Sequence, residues 1–227
     1  GILLIVLCCL EKYLDLLINE MLPAIYEEKL ADYIDVFCET NYFNVDELDM
    51  ILEAGAKYNL KPKVHVNQFT SIGGIQKAVQ YNAVSVDHLE IMENDDYKCL
   101  KNSKTIATLL PSCSFFIGIP YAPAKKLIME NIPFALASDL NPGSSPNGNM
   151  NLVNSLACIK MKILPEAAIN ASTINGAYAM EISNITGSIT KGKQANLIIT
   201  NPIDSYSYLA YSFGENPKLL KQYAWYK

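Results

Sequence analysis

Residues 61–88 have the sequence KPKVHVNQFTSIGGIQKAVQYNAVSVDH, in which two short apolar runs flank a longer mixed segment. The runs predict strands at 63–67 and 83–88, and the segment between them predicts a helix at 72–82. Strands that alternate with helices of about ten residues indicate βαβ units, in which neighbouring strands run parallel. We therefore expect an α/β fold built on a parallel sheet.

The same alternation continues on both sides of this unit. A helix is predicted over 11–31, and Pro23 is expected to kink or break it. Asn44, followed three residues later by Glu47, has the form of a capping box and predicts a helix over 45–58. Because the strands are continuously apolar, both faces of the sheet are expected to be covered. The other predicted elements are strands at 33–38, 105–110 and 134–139, helices at 93–101, 122–131, 149–162 and 165–181, and two short β-like pieces within 187–202.

Composition excludes several classes of protein. Half of the 227 residues are hydrophobic and 18% are charged, which excludes a disordered chain. The net charge is -5 and all 18 basic residues are lysines, so no basic stripe is available for nucleic acid. The six cysteines form no C-x-x-C pair, which favours reduced thiols in a cytoplasmic protein.

The first ten residues, GILLIVLCCL, are almost entirely apolar. They are too few to cross a bilayer, which needs ~20 apolar residues. No basic segment precedes them, so neither a signal peptide nor attachment to a membrane surface is expected.

Polar side chains end three of the predicted strands. His65 and His88 close the first two strands of the opening unit, and Asp139 ends the run FALASD. The carboxyl ends of the strands in an α/β barrel converge on one mouth, so these groups are expected to meet there. Together they supply a metal ligand, a proton-handling group and a carboxylate, which indicates a metal-dependent hydrolase. The alternatives are hydrogen-bonded core histidines, and an Asp139 that caps a helix or forms an Asx turn.

Two further features lie near these positions. The loop 141–149, NPGSSPNGN, is suited to holding the anionic end of a ligand on backbone N–H groups, although an ordinary turn would have a similar composition. Gln68 follows His65 by three residues, and its amide both donates and accepts hydrogen bonds, so it could contact a lactam edge.

The stretches KPKVHVNQFTSIGG, AVSVDHLE, ALASDLNPGSSPNGNMNLVNSLACIKMK and YSFGEN together resemble the imidazolonepropionases, a family within the amidohydrolase superfamily. The resemblance runs from about residue 11 to the C-terminus. It implies a partial (β/α)8 TIM-type barrel, comprising about strands four to eight, followed by a C-terminal segment of a small β-sandwich domain. The implied division is barrel at 11–185 and β-domain at 186–227, with residues 1–10 unmatched.

The resemblance also implies a function. It is hydrolysis of the cyclic amide of 4-imidazolone-5-propanoate to N-formimidoyl-L-glutamate in histidine catabolism, with Zn²⁺ or Fe as cofactor and a homodimer as assembly. By motif position, His65 and Asp139 resemble metal ligands, and Asp139 also resembles the base for the attacking water. His88 resembles the histidine that polarises the scissile carbonyl or shuttles a proton. The positions that resemble substrate contacts are Gln68, Asn141, Gly143 and Ser144.

The sequence departs from the superfamily pattern in one important respect. The superfamily's first barrel strand supplies an H-x-H pair of metal ligands, whereas this chain has two histidines in all and no such pair. It also has no arginine to clamp a substrate carboxylate. We therefore expect a C-terminal portion of a longer enzyme that is inactive alone. Another amidohydrolase or aminohydrolase acting on ring C–N bonds, and a non-catalytic remnant, are the alternatives.

Overall fold

The computed structural model describes residues 10–215 and the backbone of residues 218–219. Residues 10–28 are helical throughout: an α-helix at 10–16, a π-helical turn at Leu17–Met21, and helix α1 at Leu22–Glu28. The N–H of Leu22 donates to the carbonyl of Leu17, five residues back. This wide turn directly precedes Pro23, which lacks an N–H and crowds the preceding turn of a regular α-helix. The π-helical turn therefore accommodates Pro23, and the helix continues past the proline without a break.

Five parallel strands form the central sheet, as predicted. They are hydrogen-bonded in the order of the sequence, so each strand lies beside the one that precedes it. The strands are β1 at Tyr33–Cys38, β2 at Lys61–Val66, β3 at Ser85–His88, β4 at Ile106–Leu109 and β5 at Phe134–Leu136. The last strand is shorter than predicted, and Asp139 lies three residues beyond its end.

Helices connect the strands and pack mainly on one face of the sheet. The predicted capping box is confirmed, since Asn44 Oδ1 accepts from the N–H groups of Asp46 and Glu47, and Glu47 Oε2 accepts from the Asn44 N–H at 2.7 Å. The helices are α2 at Val45–Lys57, α3 at Gly74–Gln80, α4 at Asn94–Lys101, α5 at Pro111–Ile117, α6 at Ala124–Met129, α7 at Met150–Ile159, α8 at Pro165–Ser172, α9 at Ile174–Ala179 and α10 at Tyr208–Tyr211.

Two of the helix predictions need correction. Helix α5 was not predicted, although it begins with Pro111 and ends at Gly118 in the left-handed conformation, a common pair of start and stop signals. The single helix predicted over 165–181 is divided at Thr173, whose φ of -117° and ψ of -89° are not helical. Both corrections concern short segments in which local backbone geometry overrides the apolar pattern.

The sheet is not covered on both faces along its whole width. In β1, Ile34, Val36 and Cys38 are buried, whereas the alternate residues Asp35 and Phe37 are not. β2 alternates in the same way, while β4 and β5 are buried throughout. The helices cover the buried face of β1 and β2, whereas the opposite face of these two strands is covered only in part, where Lys61 contacts Glu181 and Lys63 donates to the carbonyl of Ala179 at the end of α9. We call this opposite surface the open face.

The tail is mostly irregular. Strand β6 at Ile198–Ile199 pairs antiparallel with β7 at Lys218–Leu219. Only one of the two β-like pieces predicted within 187–202 is therefore a strand, and its partner lies further along the chain. The apolar segment 1–10 lies outside the described residues except for residue 10. No helix among the described residues has the length and apolar character needed to cross a membrane.

A candidate metal centre at the strand ends

The structure brings His65, His88 and Asp139 together. Each offers one potential ligand atom, and these three atoms lie within 4.8 Å of one another. The two imidazole rings are 5.3 Å apart between centroids, because β2 and β3 are adjacent strands in the sheet. Asp139 reaches the same place from the segment that follows β5. Two imidazoles and a carboxylate at this separation form a donor set that suits Zn²⁺ or Fe.

His65 is held by a carboxylate that the sequence did not single out. Its Nδ1 lies 2.9 Å from Oδ1 and 2.8 Å from Oδ2 of Asp35, which projects from β1 on the open face. Burial lowers the pKa of His65, but the hydrogen bond and charge of Asp35, with the charges of Asp87 and Asp139, outweigh burial and raise it to about 9. Because Nδ1 is engaged, Nε2 is the nitrogen that could bind a metal. A carboxylate on the far nitrogen is usual for metal-binding histidines.

The backbone at these strand ends is unusual. His88 has a φ of +87°, Leu89 a φ of +65° and Asp139 a φ of +53°. Positive φ is uncommon for residues other than glycine and is costly for a bulky side chain such as leucine. The chain therefore turns sharply directly at the residues that carry the polar groups, and strain of this kind is concentrated at functional sites.

The loop after β5 is organised around Asn141. Its Oδ1 accepts from the N–H groups of Gly143 and Ser144 at 2.9 and 2.8 Å, and its Nδ2 donates to the carbonyl of Asp139 at 2.7 Å. The Ser144 hydroxyl lies 3.4 Å from Asp139 Oδ2. The N–H groups of Gly143 and Ser144, suggested as donors to an anionic ligand, are thus satisfied inside the loop, and Ser144 is the loop residue beside the Asp139 carboxylate in the candidate metal centre.

Gln68 is buried on the same side of the molecule. Its Nε2 donates to Cys113 Sγ at 3.4 Å. Burial raises the pKa of Cys113 to about 12, and the neighbouring charges of Asp139 and Glu90 contribute. The thiol therefore remains protonated near neutral pH and does not offer a thiolate ligand. Gln68 therefore contacts the candidate centre only indirectly, because its hydrogen-bond partner Cys113 lies beside Asp139.

A further buried carboxylate was also missed by sequence reasoning. Glu90 follows His88 by two residues, and its Oε2 lies 3.6 Å from His88 Nδ1. The only local signal for this contact is that Glu90 follows His88 closely in the segment DHLE. That order does not predict where the Glu90 side chain points, because His88 and Leu89 both have positive φ.

Comparison with known proteins gives the class first. The model of the amidohydrolase family matches residues 18–220, so the chain belongs to the amidohydrolase family. Among curated proteins, it is 63% identical to the imidazolonepropionase of Flavobacterium psychrophilum over 204 residues, which are 90% of this chain and 50% of that protein. It is 60% identical to the imidazolonepropionase of Flavobacterium johnsoniae, with the same coverage of both chains. The resemblance inferred from the sequence is confirmed, and the chain spans about half the length of the curated relatives it matches.

Solved structures support the fold. An adenosine deaminase from Xanthomonas campestris with bound zinc has a TM-score of 0.68 and 15% identity, and the match covers 84% of this chain and 51% of that one. The ochratoxinase of A. niger has a TM-score of 0.65 and 20% identity, with 87% and 51% covered. At these identities the likeness concerns the fold alone.

Proposed function

We propose that this chain carries part of the active site of an enzyme that hydrolyses the cyclic amide of 4-imidazolone-5-propanoate to N-formimidoyl-L-glutamate. The observation that carries the proposal is the convergence of His65, His88 and Asp139 within 4.8 Å. The identity of 63% to an imidazolonepropionase supports this choice of substrate. The partner of the site would thus be a small molecule, 4-imidazolone-5-propanoate, which is an intermediate of histidine catabolism.

The residues present fit a divalent ion, either Zn²⁺ or Fe. We assign His65 and Asp139 as ligands, because Nδ1 of His65 is already oriented by Asp35. When bound, the ion supplies Lewis acidity that polarises a carbonyl and makes water more acidic. An ion with four ligands would take the others from water or from another polypeptide segment.

The side chains divide the proton chemistry between them. Asp139 accepts the proton of the attacking water at a carboxylate oxygen, while the new C–O bond forms at the ring carbonyl carbon. His88 holds a proton near that centre and delivers it to the ring nitrogen as the C–N bond breaks. Gln68 contacts the lactam edge, and the loop with Asn141, Gly143 and Ser144 positions the substrate.

The finer architecture is also part of the proposal. The five strands in sequential order are consistent with about strands four to eight of a (β/α)8 barrel. The barrel portion would occupy 11–185, and 186–227 would belong to a small β-sandwich domain. A cytoplasmic homodimer is the assembly suggested by the resemblance.

The proposal is tested with the full natural polypeptide that carries these residues. Loss of 4-imidazolone-5-propanoate is followed in the ultraviolet, and the open-chain product is identified by mass spectrometry. Asp139→Asn and His88→Asn are each expected to lower kcat/KM by about 10²–10⁴-fold. Asp204→Asn, which removes an exposed carboxylate in the tail, is the control and should retain activity. Normal turnover by Asp139→Asn would refute the assignment.

The same assay separates the alternatives. A panel of cyclic amides and aminated heterocycles would reveal an aminohydrolase by release of ammonia in place of ring opening. Stoichiometric zinc binding without turnover of any member of the panel would favour a non-catalytic remnant.

A further inference from the structure

We propose that Glu90 is a positioning residue that sets the tautomer of His88, an inference that rests on the proposed function for its catalytic meaning. In this arrangement the Nδ1–H of His88 faces the Glu90 carboxylate, and Nε2 is left to exchange protons with the substrate. Glu90 acts through His88 and does not contact the reacting atoms.

The His88 and Glu90 side chains are buried next to each other, away from solvent. His88 and Glu90 have side chains that are 3% and 0% exposed, and His88 Nδ1 lies 3.6 Å from Glu90 Oε2. Within the described part of the chain, these two buried atoms have no hydrogen-bond partner. Buried polar atoms are rarely left without partners, so two that face each other are expected to form one bond. A movement of a few tenths of an ångström would bring them within hydrogen-bonding distance.

The other carboxylate oxygen of Glu90 is held in place. Ser114, in α5, donates its hydroxyl to Glu90 Oε1 at 2.8 Å. Ser114 is itself buried, so water does not compete freely for this bond. The carboxylate is therefore anchored on one side and directed at His88 on the other.

Chemistry gives this contact a consequence. A neutral imidazole carries one proton, and the partner of one nitrogen decides which nitrogen holds it. A carboxylate accepts hydrogen bonds only, so it favours the proton on Nδ1 and an unprotonated Nε2. Asp35 makes the equivalent contact with Nδ1 of His65, so each of the two histidines has its own carboxylate.

The tautomer of His88 can be measured directly by NMR, because few histidine signals overlap in this chain. Because the chain has only two histidines, nitrogen-15 NMR of the metal-free protein gives two imidazole patterns, and His65→Asn assigns them. In the wild-type protein, the neutral form of His88 is expected to carry its proton on Nδ1. Glu90→Gln should shift the population towards protonated Nε2, and Glu90→Asp should partly restore the wild-type pattern. Glu28→Gln, which alters an exposed carboxylate at the end of α1, is the matched control and should leave the pattern unchanged.

Two results would overturn the inference: a wild-type His88 protonated on Nε2, or an unchanged tautomer in folded Glu90→Gln. Circular dichroism establishes whether the variants fold. If Glu90→Gln does not fold, the nitrogen-15 spectrum of the wild-type protein alone tests which nitrogen of His88 carries the proton. This readout requires neither metal nor turnover. A correct tautomer in this chain, combined with a full natural polypeptide that never opens the ring, would therefore refute the proposed function and leave the pairing intact.

A kinetic measurement tests the catalytic meaning. In the full natural polypeptide, Glu90→Gln is expected to lower kcat at least tenfold with little change in KM. In a His88→Asn background, the same substitution should have almost no further effect, because the two residues act as one unit. Equal losses in both backgrounds would show that Glu90 acts independently of His88.

Discussion

At the scale of single residues, the loops beside the candidate metal centre depend on a buried charge. Glu39 follows β1 and is 1% exposed, yet its carboxylate accepts from the N–H groups of Thr40, Phe69 and Thr70 and from the Thr70 hydroxyl. Burial raises the pKa of Glu39, but these hydrogen bonds outweigh burial and lower it below its usual value. The ionised carboxylate therefore connects the loop after β1 to the loop after β2, next to Gln68.

This lowered pKa makes stability depend on pH in a defined direction. A carboxyl group with a lower pKa in the folded state stabilises the fold above its unfolded pKa of about 4.3, and the contribution is lost as pH falls through the folded value. We expect Glu39→Gln to lower the free energy of unfolding at neutral pH by about 1–3 kcal/mol, because an amide leaves buried donors unsatisfied. The free energy of unfolding of this variant should also fall less steeply than that of the wild type as pH is lowered. Urea unfolding from pH 3 to 7 measures both effects, with Glu27→Gln as the exposed control. Identical pH slopes for wild type and Glu39→Gln would contradict the prediction.

The contact between Asp35 and His65 gives a second prediction at this scale. Asp35→Asn is expected to weaken zinc binding by about 10–100-fold, because an amide orients the imidazole less firmly and makes it less basic. Competition with a chromophoric chelator measures the affinity. The control is Asp32→Asn, which removes an exposed carboxylate just before β1. Equal zinc affinities in wild type and Asp35→Asn would exclude an orienting role for Asp35.

Three residues that the structure brings together in the candidate site were predicted from the sequence. His65, His88 and Asp139 could be found because each follows an apolar run, where a polar side chain is conspicuous. Asp35 and Glu90 could not be found in the same way. Their contacts depend on the register of β1 against β2 and on positive φ at His88, and neither is encoded in a local pattern of polarity.

At the scale of elements, a glycine lets one helix approach the sheet. Gly74 is the first residue of α3, and a Cβ atom placed there would lie 2.8 Å from Val66 Cγ1 and 3.1 Å from Cys38 Sγ. Both neighbours are fully buried strand residues and have little freedom to move. Gly74 therefore sets the distance between α3 and the strand that carries His65.

Replacement of this glycine should consequently be costly. Gly74→Ala is expected to lower the free energy of unfolding by about 1–3 kcal/mol, the usual effect of an extra methyl group in a packed core. Gly214→Ala is the control, since a Cβ there would meet no atom within 4 Å. Chemical denaturation followed by circular dichroism compares the two. A stability of Gly74→Ala equal to that of the control would show that α3 can shift outward without penalty.

Elements were predictable to different degrees for physical reasons. The parallel strands were identified because each is a short apolar run between helices, and α2 was identified because its capping box is complete in the sequence. The division of 165–181 at Thr173 was missed, because both halves continue the same helical pattern. The open face was also missed, since Asp35 and Lys63 are single polar residues inside runs that otherwise look buried.

At the scale of the whole molecule, the sheet ends at β1 on one side and at β5 on the other. Within the described residues, no strand pairs with the outer edge of either. An unpaired edge offers N–H and C=O groups to other chains and favours association. The chain spans about half the length of the curated relatives it matches.

Exposed aromatic rings accompany the edge at β1. Phe37 lies 4.5 Å from Tyr42 and 6.5 Å from Phe69 between ring centroids, and Tyr42 and Phe69 are 56% and 45% exposed. We call these three residues the aromatic cluster. Contiguous apolar surface of this kind marks sites of interaction between proteins. The edge and the cluster together predict that the 227-residue chain associates with itself in solution.

Sedimentation velocity over the micromolar range tests this prediction. The wild-type chain is expected to show a sedimentation coefficient that increases with protein concentration. Phe69→Lys should reduce the increase, because a desolvated ammonium opposes close contact at the aromatic cluster. Met129→Lys adds the same charge at an exposed position at the end of α6 and is the matched control. Equal effects of the two substitutions would indicate that net charge, and not the aromatic cluster, governs association. A wild-type coefficient that is independent of concentration would show instead that the open edge is not available for pairing.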